Sequence, residues 1–183
     1  MKKIILPITL LLIFLVPCTA FAFNDLHLVV SNKYNIIYID NDSIKYGCTP
    51  VDSGDSSSTS AQNKTSATKS INTNIITFSQ TVKFTDEGLK LLIDNMQKEK
   101  NHSTNWDKVS YFITFNSINV ENKTIYTETQ CFYDNNAVLL YTWHGNKDVS
   151  WSKIAPYTVV EKTYKYISSY AKSHDSKLKA TSN

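Results

Sequence analysis

WSKIAPYTVVEKTYKYISSY, residues 151–170, is the stretch whose reading decides the fold. Pro156 fixes its own φ and disfavours a helical Ala155, so the chain before it is extended and a helix starts only beyond it. Thr158 stands three residues ahead of Glu161, the spacing of a capping box. In that arrangement the Thr158 hydroxyl accepts from the Glu161 N–H, and the Glu161 carboxylate reaches back to the Thr158 N–H. Val160, Tyr164, Ile167 and Ala171 then recur at spacings of four, three and four, flanked by Val159, Tyr166 and Tyr170. One face of a helix of about three turns is therefore apolar. So short a helix is marginal alone in water and needs a surface to lie on. The remaining chain, rich in alternating β-branched and aromatic residues, supplies a sheet.

Working back to the start, Met1, Lys2 and Lys3 form a basic segment and Ile4 to Val16 an apolar run with Ala20-Phe21-Ala22 behind it. The run is shorter than the roughly 20 residues a spanning helix needs, and small-x-small is the pattern of a signal-peptidase site. Residues 1–22 are expected to be a signal peptide, which makes the protein exported, to the periplasm, the medium or the cell surface. A rival lipoprotein reading on Cys18 is disfavoured by Pro17. Removing Lys2 and Lys3 takes the net charge from +3 to about +1, and all basic residues are Lys. A near-neutral chain without Arg lacks the fork that reads phosphates and guanine edges, which argues against a nucleic-acid partner. No transmembrane segment is expected in the mature chain.

The order of elements follows from period changes. Leu26 to Val30 and Tyr34 to Ile39 read as a hairpin whose second strand, apolar on nearly both sides, is an inner one. Asp40-Asn41-Asp42-Ser43 then ends the strand in a turn. A calcium loop starting at Asp40 fails, because its fifth, sixth and twelfth positions are Ile44, Lys45 and Val51. Residues 49–74, dominated by Ser, Thr, Asn and Asp, read as a flexible insertion with a sequon at Asn63-Lys64-Thr65. Ile76, Phe78, Val82 and Phe84 alternate with Thr77, Ser79, Thr81 and Lys83, a strand wet on one side. Thr85 caps a helix with Asp86 and Glu87 in its first turn and Leu89, Leu92, Ile93 and Met96 as its stripe. Beyond it Tyr111, Ile113 and Phe115 change phase to Ile118 and Val120, which implies a bulge near Asn116-Ser117. Ile125, Thr127, Thr129, Cys131 and Tyr133 are expected on one side of the next strand. Asp134-Asn135-Asn136 makes a hairpin turn and residues 137–143 a last strand. Residues 172–183 read as a disordered tail. The expectation is α+β: a meandering antiparallel sheet of about six strands, a C-terminal helix packed on one face and a second helix inserted mid-chain, in one domain over residues 23–171.

Little in the chain announces chemistry. His27, His102, His144 and His174 are scattered without metal-ligand spacing, and no nucleotide or hydrolase motif occurs, so neither cofactor nor metal is expected. Cys131, His144 and Asp134 are the nearest approach to a catalytic set, but a mid-strand thiol is ordinarily inert. Cys48 and Cys131 either pair in an oxidising compartment or remain separate thiols.

Three segments resemble the surface-adhesin protein E-like family of small exported bacterial proteins. Tyr38, Asp40, Ser43 and Ile44 are similar to its Y-x-D-x-x-S-I element. Tyr133, Asp134 and the residues to Leu139 resemble its Y-D-x-x-G-x-V hairpin, with Ala137 in the glycine position. Trp151, Ile154, Pro156, Thr158 and Glu161 resemble its W-x-x-I-x-P-x-S-x-x-E approach to the last helix, with Thr for Ser. The resemblance implies an antiparallel sheet with a packed C-terminal helix and a binding role at the cell surface; a cysteine that the family often carries after the last helix has no counterpart here. The expected function is non-enzymatic binding of an unknown protein or cell-envelope component. The alternative is a periplasmic module holding a small molecule or peptide in a cleft between sheet and helix. The oligomeric state is left open.

Overall fold

The strand Lys69–Phe84 (β4) runs for sixteen residues and carries two different partners along one edge. We describe residues 25–50, 69–98, 105–145 and 151–182 of a computed structural model. The expected signal peptide and most of the Ser/Thr-rich stretch lie outside these residues. Leu26–Ser31 (β1), Asn35–Asp40 (β2) and Lys45–Pro50 (β3) precede β4, and Tyr111–Asn119 (β5), Thr124–Tyr133 (β6), Leu139–His144 (β7) and Ser152–Lys153 (β8) follow it. All pairings are antiparallel. The main order is β1-β2-β4-β5-β6-β7, with β3 added on β4 and β8 on β6. The architecture is α+β, with eight strands where the sequence suggested about six. The two additional strands are β3 and the two-residue β8, and the stretch expected to be flexible gives up its two ends to β3 and β4.

Antiparallel partners share a face, so the register sorts the side chains. Val82, Phe112 and Phe132 stand in one row, and Ile76 and Ile118 in another on the same face. Asp86–Lys98 (α1) packs Leu89, Leu92, Ile93 and Met96 on the first row, around Trp106 and Phe132, whose rings meet edge to face at 5.3 Å. Val159–Ser173 (α2) and Asp175–Thr181 (α3) bring Ile167, Ala171 and Leu178 to the second, against Ile39, Ile44, Tyr46, Ile76, Phe78 and Ile118. All three helices thus cover one face.

The start of α2 follows the sequence with one change. Thr158 Oγ1 accepts from the Glu161 N–H at 3.1 Å, as a cap does. The Glu161 carboxylate takes the Tyr157 N–H at 2.7 Å instead of that of Thr158, because Tyr157 adopts a positive φ of 62° that turns its N–H inward. The contact with Lys165, followed by this N–H, holds the Glu161 carboxyl below its usual range. The buried stripe is Thr163, Ile167 and Ala171; Val160, expected in it, is exposed. Residues 172–181 are the end of α2, a turn at His174 and α3, and not a loose tail. A run of Lys and Ser hid α3, whose single buried side chain is Leu178, and the Ser182 hydroxyl accepts from the Tyr46 N–H at 2.9 Å.

Two further expectations change. β5 pairs with β4 without interruption, so its phase change is no bulge of its own. The extra residue is Glu128 on β6, opposite Phe115/Asn116. It moves Thr129, Cys131 and Tyr133 to the opposite face from Ile125 and Thr127, so the five do not share one side. Cys48 and Cys131, the cysteines among the described residues, are unpaired. Cys48 lies opposite Ile71 of β4, and Cys131 reaches Thr81 of β4 through Ile113. Three of the ten residues between Ile71 and Thr81 are surplus to the β3 register, so about seven strand steps separate those levels, roughly 23 Å at about 3.3 Å per residue, far beyond disulfide reach.

Ala137 occupies a left-handed conformation, φ 61°, in the hairpin turn where the resembling family has glycine. An L side chain costs about 1 kcal/mol or more there. Ala137→Gly is expected to raise the stability by about 0.5–1 kcal/mol, read from the urea midpoint, since relief of that strain exceeds the added freedom of the unfolded chain.

A second prediction concerns Tyr46. Its hydroxyl donates to Asp175 Oδ1 at 2.8 Å, and burial, then that bond, pushes the phenol from 10 up to about 12. The raised value means that the stability it contributes is complete below pH 10 and is lost as pH rises towards 12. Denaturation midpoints followed into alkali are expected to fall across that window, and Tyr46→Phe to remove this part of the fall.

Candidate functional site

Between Ile39, opposite Gln80, and Lys45, opposite Thr77, five residues of the outer path face only Phe78 and Ser79. The excess is folded into a 3-10 turn, Asn41–Ser43. Asp40 Oδ1 accepts from the Asp42 N–H at 3.1 Å, and the Ser43 hydroxyl donates to the Asp40 carbonyl at 2.6 Å. The same hydroxyl accepts from the Ser79 N–H at 2.8 Å, replacing the ladder bond that the turn displaces. Asn41, buried, accepts from the Tyr166 hydroxyl at 2.6 Å and donates to Asp25 at 3.1 Å. Asp40 and Ser43 are therefore residues of a joint, which links the two outer strands and fastens α2 to them.

Tyr133 and Asp134 build the hairpin end. Asp134 Oδ1 accepts from the N–H groups of Asn136 and Val138, each at 2.8 Å. Trp151 lies 6.0 Å from the Tyr126 ring. The Ile154 N–H donates to the Lys123 carbonyl at 3.0 Å, and the Ile154 side chain packs on the core below α2. Pro156, Thr158 and Glu161 set the helix start. These nine motif residues occupy three separate joints of the scaffold and converge on no common site.

Cys131, His144 and Asp134 are not brought together either. Thr142 Oγ1 points at the Cys131 sulfur at 3.9 Å, and His144 Nδ1 meets Thr129 Oγ1 at 3.3 Å. Among the described residues no group of three or more His, Cys, Asp or Glu is placed to hold a metal ion. No helix among them is long and apolar enough to cross a membrane.

What the sequence reading missed is the second face of the sheet. Leu28, Tyr38, Thr81, Ile113, Cys131 and Thr142 form one row across it. Lys83, Tyr111 and Tyr133 form the next. A third holds Ser79, Phe115 and Thr129, and Tyr126 lies beyond it. No described helix lies over this face. Phe115 is 47% and Leu28 51% exposed. Tyr111 and Tyr133 stack at 5.2 Å, and the Lys83 ammonium stands 5.7 Å from the centre of the Tyr38 ring. Burial raises both phenols, Asp134 adding to the effect on Tyr111 and the Cys131 thiol to that on Tyr133.

The face has relief. Ser43, Lys45, Thr77, Ser79, Phe115 and Glu128 line a groove of about 360 Å³ on it. The bulge aims Glu128 at this groove, where it accepts from the Ser117 hydroxyl at 2.7 Å. One wall thus carries a cation, Lys45, the other an anion, with an aromatic ring between. The signal was present in the sequence as the apolar odd positions of β5; periodicity alone does not tell which of two apolar faces the helices cover.

Comparison with protein-family models, with curated proteins and with solved structures finds no match.

The Ser43 hydroxyl serves two backbone groups at once. Ser43→Ala is expected to cost about 2 kcal/mol in denaturant titration, because the buried Ser79 N–H loses its acceptor. Ser43→Thr, which keeps the hydroxyl, is expected to lose less than half as much.

Proposed function

We propose that this chain is an exported, non-enzymatic protein that binds a protein or cell-envelope partner through the uncovered face of its sheet. One observation carries the reading. An antiparallel sheet ordinarily turns polar side chains to water on the side away from its helices, whereas here Leu28, Tyr38, Tyr111, Ile113, Phe115, Tyr126 and Tyr133 share that side. Leu28 and Phe115 are exposed and the other five are half-buried, and apolar surface gathered outside the core is the property of an interaction site. Tyr rings offer large, stiff contact area at little entropic cost. The Lys45 and Glu128 walls of the groove give such a partner orientation as well as adhesion.

Two further points support the reading. The leader-like residues 1–22 favour export, and the resemblance of three segments to surface-adhesin E-like proteins favours an envelope or host-facing partner. The motif residues themselves are scaffold, so specificity is assigned to the sheet face and not to them.

The test is capture by the immobilised full chain from solubilised envelope proteins and, separately, from extracellular-matrix proteins. Phe115→Ser changes an exposed ring, so its thermal unfolding is expected to match that of the parent chain. Its capture of the same partner is expected to fall about tenfold or more. Equal capture by the folded variant would refute the proposal.

A further inference from the structure

A second concavity lies on the covered side, between α2 and the strands beneath it. Tyr164, Ser168, Ala171 and Lys172 project from one face of the helix, at spacings of four, three and one. Tyr46 of β3, Thr73 and Ile76 of β4 and Val120 after β5 complete a cleft of about 220 Å³. That is smaller than the roughly 300–1,000 Å³ of drug-sized sites. It exceeds the roughly 150 Å³ cavity that admits benzene. The guest it suits has about six to eight non-hydrogen atoms.

The lining narrows the chemistry. Ile76 and Ala171 are buried and Val120 is half-buried, so the inner wall is apolar. Both phenols are already engaged as donors, Tyr46 to Asp175 and Tyr164 to the Val120 carbonyl at 3.2 Å. The Ser168 hydroxyl is different: its oxygen is buried and, among the described residues, has no hydrogen-bond partner. A buried polar atom left unpaired is costly, and a bound group that pairs with it recovers that cost. At the mouth stands Lys172, exposed and, among the described residues, without an ion-pair partner. The nearby Asp175 carboxylate is taken up by Lys179 at 2.8 Å and by the Tyr46 hydroxyl. The uncompensated charge at this mouth is therefore positive.

We infer that the cleft binds a small amphipathic monocarboxylate, its tail against Ile76, Val120 and Ala171 and its carboxylate on the Lys172 ammonium, with the Ser168 side chain turned by one rotamer step so that its buried hydroxyl swings out to donate to the same carboxylate. Ser168 and Lys172 are one helical turn apart, about 5–6 Å between their Cβ atoms, a span that one carboxylate bridges. This site is separate from the uncovered face and does not rest on the partner-binding reading.

The experiment titrates the full chain with sodium hexanoate and, in parallel, with hexan-1-ol, following backbone amide resonances. Saturable shifts confined to Ser168, Ala171, Lys172 and the facing Thr73 and Ile76 are expected, with a Kd on the order of 1 mM. Ser168→Ala and Lys172→Gln alter groups that have no hydrogen-bond or ion-pair partner among the described residues, so both variants are expected to fold as the parent does. Each is expected to weaken hexanoate binding about fivefold. Phe115→Ser, on the other face, is expected to bind hexanoate unchanged, which separates failure of this site from failure of the partner surface. Absence of saturable shifts in the parent chain, equal binding of hexan-1-ol, or unchanged affinity in both cleft variants would overturn the assignment.

Discussion

The hydrogen bond from the Ser79 N–H to the Ser43 hydroxyl is the constraint on which the remaining structure depends. A sheet edge that must absorb three surplus residues either ends there or finds a substitute for the missing backbone acceptor. Ser43 supplies the substitute, and the outer path resumes in step with β4. Ile44 and Tyr46 then re-enter the core on the same side as Ile39. Asn41, at the crest of the turn, receives the Tyr166 hydroxyl and so fixes where α2 lies along the sheet. Tyr46 in turn holds α3 through Asp175 and Ser182. A local solution to a counting problem in one strand thereby positions both C-terminal helices.

Much of this fold was legible in the sequence, for definite reasons. Ile76 to Phe84 alternates, Gln80 apart, because one side of β4 faces the helices and the other does not. Pro156, Thr158 and Glu161 mark a helix start because each acts through its own backbone neighbours. The elements that escaped notice carry weak local signals. β3 contains Gly47 and Cys48 and draws its order from β4. α3 shows a single core residue amid Lys and Ser. Trp106 is held by Phe132 and Tyr141, distant in sequence, and nothing near it announces a core position. The candidate surface was hidden for another reason. The odd positions of β5 were visibly apolar, but only the pairing of five strands shows that they lie together and away from the helices.

The two concave regions differ in what each asks of a guest. The open face presents rings that already lean on one another, as Tyr111 does on Tyr133, so little side-chain freedom remains to be lost when something lands on it. The cleft beneath α2 is narrow and presents one unpaired hydroxyl. The first suits a broad, shallow macromolecular contact, the second a small solute. Because Ile76 packs to one side of β4 and Thr77 to the other, the same strand serves both and can be altered at alternate residues without disturbing its opposite side.

The helices that complete the larger apolar cluster come last in the order of elements. Ile167, Ala171 and Leu178 cover Ile39, Ile44 and Tyr46, which a ribosome releases more than a hundred residues earlier. Until those helices emerge, Ile39, Ile44 and Ile76 have no lid, whereas the cluster around Trp106 and Phe132 is already complete in the chain by Tyr141. Synthesis therefore delivers the floor of this cluster long before its roof, and the last two helices are the step that seals it.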